Sequence, residues 1–177
     1  MLQALDRNIG TDSLMWLFLA FFILHDFEEI LAIEPWMKRH AQEIAGRVPK
    51  PLRPVFARMS GLKSYQFAVA VLFEFLVFIP VTYAAVEKGW MAAFLGINIL
   101  LFLHVFTHLG QSLLLRRYTI GVITAVLLAL PYSLYLFYRL TSEHLVTWHQ
   151  LYASLPYALI PLPLVLLGQL AGKRWLP

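Results

Sequence analysis

Five stretches of the chain are apolar for close to the ~20 residues that a helix needs to cross the hydrocarbon core of a bilayer. They run from Ser13 to Ile33, Ser64 to Val86, Trp90 to Leu115, Tyr118 to Leu140 and Leu151 to Ala171. So much apolar chain leaves too little polar material for a water-facing surface. Only 14% of the 177 residues are charged and 60% are hydrophobic, with a mean hydropathy of +0.69. Soluble domains carry about 25% charged residues. The sequence therefore predicts an all-α protein, a single transmembrane domain over residues 1–177, folded as a bundle of five spanning helices.

Proline marks the weak points. Pro131 is expected to kink the fourth span, and Pro156, Pro161 and Pro163 to kink the fifth. The stretch from Met1 to Arg7 has no basic leader, and no small-residue cleavage site follows the first apolar run, which is thus read as a retained helix. There is no cysteine, which removes disulfides and thiolate metal sites.

Charge sets the orientation. Lys38, Arg39, Arg47, Lys50, Arg53, Arg58 and Lys63 lie in the connection after the first span, Arg116 and Arg117 between the third and fourth, and Lys173 and Arg174 after the fifth. These eleven of the fourteen basic residues fall on one side of a five-span topology; Arg7, Lys88 and Arg139 fall on the other. Positive-inside bias places the N-terminus outside and the C-terminus in the cytoplasm. The basic balance then needs no nucleic-acid partner. Residues 34–63 become a basic cytoplasmic loop, with room for an interfacial helix between Trp36 and Met59.

Against this background the first span holds Leu24-His25-Asp26-Phe27-Glu28-Glu29-Ile30. An acidic residue near a helix centre costs about 2.5–3.5 kcal/mol on insertion scales. Such groups persist when they face a protein interior or a wet cavity and find partners there. At about 100° per residue, Glu28 and Glu29 flank His25, Asp26 sits at the edge of the same arc, and Phe27 points away. The second span adds Glu74. The third adds Asn98, His104, His108 and Gln111, with both histidines on one face at i and i+4.

Depth unites them. At ~1.5 Å per residue from the cytoplasmic ends, His25 lies about 12 Å in, Glu29 about 6 Å, Glu74 about 15 Å, His104 about 16 Å and His108 about 10 Å. Three helices place their costly groups in one layer.

Imidazole and carboxylate without sulfur suit a divalent metal, Zn, Fe, Mn or Co, in the open geometry of catalytic sites. His25, Glu29, His104 and His108 are the expected ligands, with Glu28 and Glu74 as catalytic carboxylates. Asn98, Gln111, Asp26 and Tyr118 are expected to orient ligands or hold substrate. Each group alone has a plainer use, since polar side chains also join membrane helices by hydrogen bonds. His40, His144 and His149 are read as solvated. The leading expectation is a metal-dependent membrane hydrolase acting on a lipid or apolar molecule. Two others stand beside it: a metal-free acid–base lipid isomerase, and a proton or cation transporter, which would need a homo-oligomer.

The segment His25-Asp26-Phe27-Glu28-Glu29, opening a small five-span protein, resembles the HXXEE family of bacterial-type membrane proteins. The likeness extends to Phe102–Gln111 and to Tyr118-Thr119-Ile120-Gly121. The family element commonly reads Tyr-x-Pro-Gly, from which Ile120 departs. The resemblance implies a bacterial inner membrane location and a site at the motif; the function of the family is uncharacterised.

Overall fold

A computed structural model of the chain describes residues 6–175. The part of the leader reading that rests on Met1–Leu5 lies outside the described residues. Among those described, every regular element is helical.

Helix α1 runs from Thr11 to Ala45, 35 residues and about 52 Å long, straight through Pro35. It therefore continues well past the expected end at Ile33. Ile33, Trp36, Met37 and Ile44 are buried while Lys38, Arg39 and Glu43 are exposed. That is the 3.6-residue stripe of a water-facing amphipathic helix, so half of the expected loop is helix. A short helix, α2 (Arg53–Ser60), follows in the region expected to hold an interfacial helix.

Among the described residues, four helical stretches are long and apolar enough to cross a membrane: α3 (Ser64–Lys88), α4 (Met91–Leu115), α5 (Val122–Ser142) and Trp148–Trp175. The acids of α1 set it apart from these four by composition, although it is long enough. Within the last stretch, α6 (Trp148–Ala153) passes into a 3₁₀ turn over Leu155–Leu159 before α7 (Pro161–Trp175). The three prolines thus divide this stretch rather than bend one helix. In α5, Ala125–Ala129 is a widened π turn just before Pro131, whose missing N–H cannot serve the preceding carbonyls.

Helix α3 is the centre of packing, against α1 on one side and α7 on the other. The α3–α7 seam depends on Gly168 and Gly172. A Cβ on Gly168 would stand 2.4 Å from the Cα of Ala70, and one on Gly172 would stand 3.0 Å from the Cα of Gln66. Small residues four apart let membrane helices approach to backbone contact. Helices α4 and α7, by contrast, hardly touch.

A core of Phe18, Phe22, Phe78, Phe94 and Leu136 fills the end of the bundle away from the basic segment. Toward the basic end the helices separate around a cavity of about 710 Å³. There Glu34 binds Lys38 at 2.8 Å and Lys63 at 3.1 Å. These ammonium groups hold its carboxyl down to about 2.

Candidate metal centre

His25, Glu29, His104 and His108 converge, each offering one ligand atom within 4.8 Å of the others. Nε2 of His108 lies 2.8 Å from Nε2 of His104 and 3.1 Å from Oε1 of Glu29. The same Glu29 oxygen is 3.8 Å from His104. The His25 ring stands edge-on to both others, with centroids 5.5 Å from His104 and 5.0 Å from His108. Ligands about 2.0–2.2 Å from a tetrahedral ion stand roughly 3.3–3.5 Å apart, so small side-chain adjustments suffice to close a shell.

The hydrogen bonds around the cluster fix its tautomers. Oγ1 of Thr124 lies 2.6 Å from Oε2 of Glu28 and 2.9 Å from Nδ1 of His25. A carboxylate only accepts, so the single hydroxyl hydrogen goes to Glu28 and His25 Nδ1–H donates to the threonine oxygen. His108 Nδ1–H donates to the Ile120 carbonyl at 2.9 Å. Thr107 gives its hydrogen to the His104 carbonyl at 2.7 Å, leaving its oxygen to accept from His104 Nδ1 at 3.1 Å.

All three rings consequently carry their proton on Nδ1 and turn a bare Nε2 lone pair inward. Nε2 of His25 is buried without a hydrogen-bond partner. Two facing lone pairs 2.8 Å apart repel unless a cation or a proton lies between them. Orienting a ligand histidine through its other ring nitrogen is how proteins prepare imidazoles for metal.

The remaining expected residues divide. Asp26, Glu74 and Gln111 line the cavity beside the cluster. Oδ2 of Asp26 is buried without a partner, and the Glu74 side chain makes no hydrogen bond or ion pair with any described residue. Glu28 is turned away from the cavity: it accepts from Tyr118 Oη at 2.6 Å and from the backbone and hydroxyl of Thr124 at 2.8 and 2.6 Å. Of the adjacent acids, Glu29 thus faces the histidines, and Glu28 is linked through Thr124 to His25. Tyr118 donates its hydroxyl to Glu28. Asn98 is fully buried in the bundle, donating to the Phe94 carbonyl at 2.9 Å, away from the cavity. Phe27 is half exposed on the opposite face, as expected. His144 and His149 are exposed; His40 is half-buried, bonded to the Trp36 carbonyl at 3.0 Å and stacked near the Trp36 ring.

Two residues belong to the site without having been singled out for it. One is Thr124. The other is Gly121, whose φ of +81° favours glycine. A Cβ there would stand 2.5 Å from Cε1 of His108 and 2.7 Å from Oε1 of Glu29. The turn at Tyr118–Gly121 is therefore a cradle, supplying a hydroxyl to Glu28, a carbonyl to His108 and clearance for both ligands. Position 120 gives its carbonyl to His108, and the isoleucine side chain packs at the cavity wall.

Neither curated proteins nor solved structures give a match to this chain. A family model does: that described as "Protein of unknown function with HXXEE motif" matches residues 16–136. This span holds every histidine and carboxylate of the cluster and the cradle that orients them, and on it the chain belongs to the HXXEE family.

Proposed function

We propose that the protein is a metal-dependent hydrolase of a bacterial inner membrane, acting on a lipid or other apolar molecule. In this reading α1 also spans, giving five crossings with the N-terminus outside and the basic segment in the cytoplasm. The observation that carries it is the convergence of three imidazoles and one carboxylate at the wall of a large apolar cavity.

His25, Glu29, His104 and His108 would hold a divalent ion, which when bound would supply Lewis acidity toward a carbonyl oxygen and a water. The chain supplies the rest. Glu28, through Thr124, holds His25 in its tautomer, and Ile120 does the same for His108. Glu74, uncommitted and lining the same cavity, would act as proton acceptor and donor. Water's oxygen bonds to an ester carbonyl carbon as the C–O bond to the alcohol breaks. Glu74 takes the proton from the water and returns it to the departing oxygen. The apolar walls keep other water out of this step.

Elemental analysis of the detergent-purified protein tests the reading. Wild type should hold about one or two equivalents of Zn, Fe or Mn, lost in both His25→Ala and His108→Ala. A well-folded wild-type protein with no metal would overturn it. Glu74→Gln would then ask whether acid–base isomerisation takes its place.

A further inference from the structure

The walls of the cavity are not uniform along its length. Beyond the His/Glu layer, away from the basic end, it is closed by Phe18, Phe22, Phe78, Ile97 and Leu101. Phe18 stands seven residues from His25 on the same helix, about 10 Å deeper. The three acids that line the cavity, Asp26, Glu29 and Glu74, all belong to the layer itself.

Toward the basic end the walls remain largely apolar, with Ile33, Met37, Ile44, Phe56 and Leu115, but three polar side chains from three elements stand among them: Arg58 of α2, Gln111 of α4 and Gln169 of α7. Gln111 is three residues past His108, about 4.5 Å further toward that end. Gln169 follows Gly168, which packs on Ala70, one turn beyond Glu74. None of the three side chains forms a hydrogen bond or ion pair with a described residue. Arg47, Arg53, Arg117 and Arg139, by contrast, each bond an acid or a carbonyl.

The cavity also has a side entrance. Leu114 of α4 and Leu162 and Leu166 of α7 line it, yet each is about half exposed, at 50%, 53% and 48%. They flank the gap where α4 and α7 hardly touch. In a bilayer such a gap opens onto acyl chains.

From the sequence of walls we infer that the cavity takes a single-chain anionic amphiphile from the membrane, its head bound by Arg58, Gln111 and Gln169 and its chain in the phenylalanine-lined end. This deepens the hydrolase reading and rests on it for the reaction, though not for binding. The order of the walls sets the linkage between head and chain against the histidines. A volume of about 710 Å³ falls among small-molecule sites, which run to ~1,000 Å³. It holds one chain and a compact head, not a two-chain lipid. An arginine fork suits a phosphate or carboxylate head.

The test uses a lysophosphatidate carrying a diazirine at the far end of its acyl chain, photolysed with the full-length protein in nanodiscs. Labelled residues are mapped by mass spectrometry. Labels should fall on Phe22, Phe78 or Leu101, and unlabelled lysophosphatidate should compete at least tenfold better than the monoacylglycerol of the same chain. Inorganic phosphate alone and two-chain phosphatidate should not compete. Arg58→Gln, on an exposed helix, should abolish the preference for the charged head while leaving metal content unchanged. Gln111→Leu should weaken it in part. Labels confined to the lipid-facing Leu31, Leu72 or Leu134 would overturn the inference. So would equal competition by the uncharged or two-chain lipid, or an Arg58→Gln variant that keeps the preference. The expected labelling in a protein without metal would leave this inference standing and the metal reading fallen.

Discussion

Two buried polar clusters occupy opposite halves of the bundle, and they are built on opposite plans. At the N-terminal end of α1, Arg139 is almost wholly buried and spends its whole fork on partners. It donates to the Ile9 carbonyl, Tyr135, Thr11 and Glu143, at 2.9, 2.8, 3.1 and 2.6 Å. Thr11 in turn donates to Glu143, and Asp6 stands 3.6 Å from the guanidinium. Donors and acceptors are matched, and the network closes on itself. At the other cluster the donors point outward, into the Thr124, Ile120 and Thr107 oxygens, and the acceptors are left facing one another. A closed network fastens α1 to α5. An inward-facing set of acceptors asks for a cation. The same kinds of residue thus separate structure from function by the direction of their hydrogen bonds, not by burial or composition.

That contrast can be broken from either side. The largest effect is expected from Gly121→Ala. The added Cβ meets His108 and Glu29 and the backbone keeps a left-handed φ. Metal should be lost entirely and stability should fall by about 1–3 kcal/mol, read by elemental analysis and thermal unfolding in detergent. Retention of a full equivalent would show that the cradle is not needed. Next comes Thr124→Val, which keeps shape but cuts the link between Glu28 and His25. Metal affinity should drop ~10–100-fold, with Thr124→Ser restoring most of it; a valine variant as tight as wild type would remove Glu28 from the site. The smallest effect on the metal belongs to Arg139→Gln. It should lower stability by roughly 2–3 kcal/mol yet leave metal content alone. A loss of metal in this variant would mean that the two clusters are coupled.

The sequence made the layer legible because intramembrane charge is costly. His25, Glu29, His104 and His108 stood out against apolar neighbours at matched depth, and the structure brings those four together. Residues without such a cost were hidden. Threonine and glycine are ordinary in membrane helices, so nothing in the pattern singled out Thr124, and Gly121 stood only as the last residue of the Tyr118–Gly121 element, with no sign that clearance was its part. Helical angles alone could not say which of two adjacent acids would turn inward; the α5 terminus, with its free backbone N–H at Thr124, draws Glu28 outward. Asn98 shares a helix with the histidines, but it does not line the cavity, and its side-chain N–H is taken up one turn back at the Phe94 carbonyl. Hydropathy also ended α1 too early, because its last twelve residues obey a water-facing period rather than an apolar run.

The widened turn at Ala125–Ala129 has a consequence of phase. Thr124 and Tyr132 are eight positions apart, which in a regular helix of about 100° per residue leaves them roughly 80° out of step. A π turn typically absorbs one additional residue and brings them back to nearly the same face. Both then meet α1: Thr124 at His25 and Glu28, and Tyr132 stacked 4.7 Å from Phe21 with its hydroxyl toward the Leu14 carbonyl. Helix α5 works like a gear with one extra tooth. Deleting any one residue between Ala125 and Ala129 would give a regular helix in which Thr124 and Tyr132, then seven positions apart, still lie within about 20° of one face, so the mesh with α1 would survive the loss of the widened turn.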